Sequence, residues 1–159
     1  MTMMNSAIAG KELLWFNNTL VAIQVSSADG EDGTCVIEHR LPYGDSPPLH
    51  VHRNEDEVFH ILEGQVRFQI SGHERMVGAG ETFIAPKGLP HTYRVESPEG
   101  AHTLTITRGP DFETMVRKAS RQAERPDLPP MAAPTPEMIE TLARLCAQNG
   151  IDLVGPPIV

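Results

Sequence analysis

Residues 44–64 read GDSPPLHVHRNEDEVFHILEG: two histidines one residue apart (His50, His52), a glutamate further on (Glu57), and a glycine at each end (Gly44, Gly64). Side chains alternate across a strand, so His-x-His sets both imidazoles on one face. In the run Glu57–Leu62, Glu57 and Phe59 share a face, and His60 lies on the opposite one. A second stretch, GETFIAPKGLPH at residues 80–91, delivers His91 behind the stiff corner Pro86-Lys87-Gly88. Three imidazoles and one carboxylate suit Fe, Mn, Ni, Cu, Co or Zn. His50, His52, Glu57 and His91 are therefore the candidate metal ligands. Three strands meeting at one interior point require a small barrel; an open sheet does not provide this.

The flanking sequence repeats that message. Short runs rich in Val, Ile, Thr and Phe occur at Thr19–Ser26, Thr34–Leu41, Gln65–Ser71, His73–Val77, Glu81–Ala85, His91–Glu96 and Ala101–Thr107. Turn residues separate them, drawn from 13 Gly and 14 Pro. Many short strands with regular turns predict an all-β sandwich or barrel. Gly64 falls where two strands must reverse tightly. At Gly109-Pro110 the pattern changes. Phe112–Glu124 reads as a helix, and Arg125–Pro136 carries five prolines and must be extended. Thr135 then caps a helix opened by Pro136, with an apolar stripe of Met138, Ile139, Leu142, Leu145 and Cys146, stopped by Gly150. The expected organisation is a β-barrel over residues 12–108 and a C-terminal helical extension with a Pro-rich linker over 109–159.

Composition narrows the class. The 159 residues carry 13 Lys plus Arg against 21 Asp plus Glu, a formal charge of −8. Such a surface repels phosphate backbones and anionic lipid, which excludes nucleic acid and membrane as partners. No helix-turn-helix pattern precedes the barrel region. With 40% hydrophobic residues the chain can bury a core, yet no apolar run reaches membrane-spanning length. Met1–Gly10 has neither the basic nor the apolar segment of a signal peptide. The two cysteines, Cys35 and Cys146, make no disulfide framework, so a cytoplasmic location is expected.

Other side chains have plainer expectations. Glu55 and Asp56 read as a solvated turn, His60 as surface or interface, and Cys35 as a small buried hydrophobe. His39 shares a face with Cys35, Ile37 and Leu41 and reads as a hydrogen-bonded core histidine. His102 lies near a strand start with no evident partner. Phe59, Phe68, Phe83, Tyr93, Ile70 and Met76 are candidates for the barrel lining. With few basic residues near the mouth (Arg40, Arg53, Arg67, Lys87, Arg94), they favour a hydrophobic or aromatic small-molecule substrate.

The scaffold Gly44-x5-His50-x-His52-x4-Glu57-x6-Gly64, followed by Gly80-x5-Pro86-x-Gly88-x2-His91, resembles the two motifs of the cupin superfamily. The resemblance implies a double-stranded β-helix, or jelly-roll barrel, with one divalent metal near its centre. His50, His52, Glu57 and His91 match the family's four ligand positions. One place departs: where the second motif continues with Asn, this chain has Val95. The stretch PPLHVHRNEDEVFHILEGQV and the appended helices also resemble small bacterial cupins of the quercetin dioxygenase-like kind. That implies a dioxygenase acting with O2 on a flavonol-like or other enolisable compound, with Glu57 both ligand and proton acceptor. It also implies a homodimer. A small-ligand-binding barrel without catalysis, and a metal-dependent isomerase or lyase, share the same motif and remain alternatives.

Overall fold

A computed structural model of the chain describes residues 11–159. Met1–Gly10, and with them the expectation of no signal peptide, lie outside the described residues. The strands are β1 Leu13–Phe16, β2 Thr19–Val25, β3 Thr34–Leu41, β4 Leu49–His52, β5 Glu57–Glu63, β6 Gln65–Ile70, β7 His73–Gly78, β8 Thr82–Ala85, β9 His91–Val95 and β10 Ala101–Arg108. After these come helix α1 Asp111–Ala119, β11 Arg121–Gln122, helix α2 Pro136–Gln148 and β12 Ile151–Gly155. They form two antiparallel sheets, ordered β11-β1-β2-β3-β10-β5-β8 and β12-β4-β9-β6-β7. This is the expected all-β jelly-roll with helices appended after the tenth strand.

Alternation decides which residues meet between the sheets. From the seven-stranded sheet, Leu41, Phe59, Ile61, Ala85 and Ala101 face inward; Val66, Phe68, Val77 and Val95 come from the other sheet, and all nine form one buried cluster. A second cluster fills the opposite end. There Val21, Cys35 and Ile37 pack against Phe112, Met115 and Val116 of α1, Cys146 of α2 and Ile151 of β12. The helices thus plug one end of the barrel, and the candidate ligands lie between the two clusters. No described helix is long and apolar enough to cross a membrane.

The turn after β5 shows why glycine stands at 64. Its φ is +91°, and a Cβ there would sit 2.6 Å from the Gly100 carbonyl oxygen. The cap expected at the second helix is present, with the Met138 N–H donating to Thr135 Oγ1.

Three local expectations need correction. The helix read over Phe112–Glu124 ends at Ala119, because Arg121 and Gln122 leave it to pair with Trp15 and Leu14 of β1. There the Arg121 guanidinium lies 4.5 Å from the centre of the Trp15 ring, a cation–π contact that favours the strand. Strand β1 itself was not foreseen. Residues 109–159 are also not wholly helical beyond the linker: β12 follows the Gly150 stop and pairs with β4, Ile151 opposite His52 and Leu153 opposite His50. Met76 does not line the barrel; it is 46% exposed on β7.

Candidate metal centre

Four side chains from three strands converge. His50 and His52 come from β4, Glu57 from the first position of β5, and His91 from the first position of β9. One donor atom from each lies within 4.8 Å of the others, close enough to hold a metal ion. His50 and His91 are cross-strand partners, with ring centres 4.4 Å apart. The Pro86-Lys87-Gly88 corner is tied to the other motif, since the Gly88 N–H donates to the His52 carbonyl at 2.8 Å. That bond fixes the start of β9 against the end of β4.

The carboxylate is the hub. Glu57 Oε2 lies 2.8 Å from His91 Nε2 and 2.9 Å from His52 Nε2, with all three residues buried. Burial works against a charge on Glu57, but His52 and His91 outweigh it and hold the carboxyl well below its usual range. For His52 burial favours the neutral ring, and Glu57 reverses this and raises its pKa. His50 differs: burial and then neighbouring His91 pull it down to about 4, so its ring is neutral at pH 7. The Pro48 carbonyl lies 2.7 Å from His50 Nδ1, which turns Nε2 toward the cluster. His52 Nδ1 is buried with no hydrogen-bond partner among the described residues. An ionised carboxylate, the neutral His50 ring and the buried His52 Nε2, which faces Glu57 without a hydrogen bond among the described residues, together fit a borderline divalent cation.

Next to the cluster lies a cavity of about 10 Å³, room for about one water. Its walls are Leu41, Phe59, Val66, Phe68 and Tyr93, with Thr103, Thr105 and His39. Phe59, Phe68 and Tyr93 therefore line the barrel as expected, whereas Phe83 and Ile70 pack beside the cluster that surrounds it. Burial pushes the Asp45 carboxyl up to about 6, against the lowering effect of neighbouring Tyr93. Val95, standing where the motif has Asn, is fully buried in the same apolar cluster.

Several expectations for the surrounding residues change. Glu55 is not solvated: it is 3% exposed, and its carboxylate accepts the Asp111 and Phe112 N–H groups at 2.9 and 3.0 Å. It thereby anchors the first turn of α1, whose Phe112 ring lies 6.0 Å from His52 and 6.2 Å from His39. Asp56 does sit in an exposed turn, accepting the Lys87 N–H. His39 is buried but not fully hydrogen-bonded, because its Nε2 has no partner among the described residues. His102 has a partner after all, Glu38, and both are buried on the other face of the sheet. The sequence holds no signal for the Glu38–His102 pair, since it depends on the β3–β10 pairing. His60 is half-buried and contacts Thr82 Oγ1.

Residues 37–107 match the family described as Cupin domain, a span that holds both motifs and all four candidate ligands. This region of the chain is a cupin domain. Over 54 residues the chain is 35% identical to quercetin 2,3-dioxygenase of Bacillus subtilis (strain 168). That match covers 34% of this chain and only 16% of the enzyme. Among solved structures, a predicted oxalate decarboxylase from Thermotoga maritima superposes with a TM-score of 0.58 at 20% identity, covering 63% of this chain and 94% of that one. The cupin domain of Schizosaccharomyces pombe Cnp3 gives 0.54 at 16%, covering 72% and 78%. At those identities the two structures establish the shared fold.

Proposed function

We propose that this protein is a metal-dependent dioxygenase that opens an enolisable or phenolic substrate with O2. The observation that carries the reading is the buried donor set of His50, His52, Glu57 and His91, closed around one point beside an aromatic-walled cavity. The short likeness to quercetin 2,3-dioxygenase supports the choice of chemistry. A bound Fe, Mn, Ni, Co or Cu ion would supply Lewis acidity and redox chemistry toward O2.

The chain's own residues supply the rest. Glu57, held ionised, is the acceptor for the substrate's hydroxyl proton and would also be one of the four residues that hold the metal. His50, the least buried of the four, marks the side from which a substrate approaches. Phe59 and Phe68 keep water from the reacting face. A flavonol-sized ring system needs these aromatic walls to move aside, whereas a smaller enolisable ring needs less. The reading also takes the protein to work as a cytoplasmic homodimer; a monomer by light scattering would remove that part alone.

The test is metal content by mass spectrometry on untagged protein, beside a His52→Ala control, followed by O2 uptake with quercetin and smaller enols. The expected result is near-stoichiometric redox-active metal that disappears in the control, with substrate-dependent O2 consumption. Zinc without O2 uptake would redirect the reading to an isomerase or lyase. No metal after reconstitution would leave a binding barrel.

A further inference from the structure

We infer that His39 is the polar anchor of the pocket, its Nε2 sharing one hydrogen bond with the hydroxyl or carbonyl oxygen of an uncharged aromatic or enolic ligand. The inference deepens the reading above by naming the ligand class and the residue that selects it.

The position follows from strand register. Along β5 the inward residue after Glu57 is Phe59, along β9 the one after His91 is Tyr93, and along β10 Thr105 precedes Thr107, which pairs with Glu57. The cavity bounded by Phe59, Tyr93 and Thr105 is thus the layer of the barrel next to the ligand layer. On β3 the residue at its edge is His39, paired with Thr103 of β10 and Val21 of β2.

His39 is unlike an ordinary core histidine. It is 5% exposed, and its Nε2 is buried with no hydrogen-bond partner among the described residues. A buried polar nitrogen without a partner is costly, and a leucine would fill the same space without that cost. The cavity that His39 lines has room for about one water, the size of a single ligand oxygen. A neutral imidazole carries one donor and one acceptor nitrogen, so a hydroxyl satisfies Nε2 in either tautomer and a carbonyl in one.

The walls decide the rest of the ligand. Phe59 and Phe68 pack with ring centres 4.8 Å apart, and Phe59 meets Tyr93 edge-on at 5.9 Å. A flat ligand ring would replace one of these ring–ring contacts, the walls moving aside to admit it while its oxygen takes the cavity. No Lys or Arg lines the cavity. A ligand carboxylate placed there would be buried without a countercharge and near the ionised Glu57, an unfavourable position.

The test is isothermal titration calorimetry with catechol, and with benzoate as the anionic counterpart, on wild type, His39→Leu and His39→Gln. Catechol is expected to bind about tenfold more weakly to His39→Leu and within about threefold of wild type to His39→Gln, which keeps a hydrogen-bonding group. Metal content by mass spectrometry should be the same in all three, and benzoate should bind more weakly than catechol. Equal catechol affinity in wild type and His39→Leu would overturn the assignment. So would a preference for benzoate, or metal loss in His39→Leu that Gln does not restore. The titrations are repeated on EDTA-treated protein. If the wild type proves metal-free the dioxygenase reading fails, while a His39-dependent catechol affinity in that same protein still upholds the anchor.

Discussion

Glu57 is asked to do two things that pull in opposite directions: stay charged in a buried site and accept a proton there. Its two short contacts to His52 and His91 explain the first, and the second is open to test. Glu57→Gln keeps the volume and removes the charge. We expect a wild-type circular dichroism spectrum, metal affinity at least tenfold lower, and O2-dependent turnover reduced about a hundredfold or more. Turnover close to wild type in that variant would remove Glu57 as the base. At this scale the candidate site was legible in the sequence, because His-x-His spacing and strand alternation already place those rings on one face. His39 was legible only as buried. Its missing hydrogen-bond partner depends on what β10 and β5 bring beside it, and a single strand's pattern does not carry that information.

Among the elements, α1 has an unusual anchor. Pro110 at its N-cap gives no side-chain cap, and the free N–H groups of Asp111 and Phe112 are taken by Glu55, more than fifty residues earlier in the chain. The fit is close: Gly109 has φ +139°, and a Cβ there would lie 2.2 Å from Glu55 Oε2. Glu55→Ala strips two charge-assisted bonds from a helix start and should cost about 2 kcal/mol in urea unfolding. Gly109→Ala should cost at least as much. Because both act on one contact, the double variant should fall well short of the sum. Additive losses would mean that Glu55 and Gly109 matter for separate reasons. Neither this anchor nor the return of β12 to β4 was readable in advance. Glu55 looked like a turn acid because its neighbours Asn54 and Asp56 are polar, and Ile151–Gly155 is too short to show a period against the helix before it.

The molecule as a whole concentrates His39, His50, His52 and His91 between two sheets, and this gives the metal-free protein a definite response to acid. Burial holds His39 at about 4, and burial with His91 holds His50 at about 4, both from an unfolded value of 6.5. Between those limits the unfolded chain binds protons that the folded chain refuses, so stability falls as pH drops from 6.5 toward 4. Each group contributes up to about 3 kcal/mol over that window. His52 works the other way. Its folded pKa is raised by Glu57 despite burial, so its contribution is full below 6.5 and fades as pH rises through the folded value. Glu57 and Glu113, both held below the usual carboxylate range, add their loss only as pH falls below about 4.5 toward their folded values. Asp45, held up at about 6 by burial, and Glu55, raised by burial, also act as pH falls from 7 to 4.5: the folded chain binds their protons before the unfolded one does, which opposes the lowered histidines. Two lowered groups stand against three raised ones, so a single ring is read by removing it, in calorimetry of EDTA-treated wild type and His39→Leu at pH 7 and 4.5. Relative to its own Tm at pH 7, His39→Leu should be several degrees higher at pH 4.5 than wild type is, because the refused proton is gone. The same pH dependence of Tm in wild type and His39→Leu would show that burial does not hold this ring neutral.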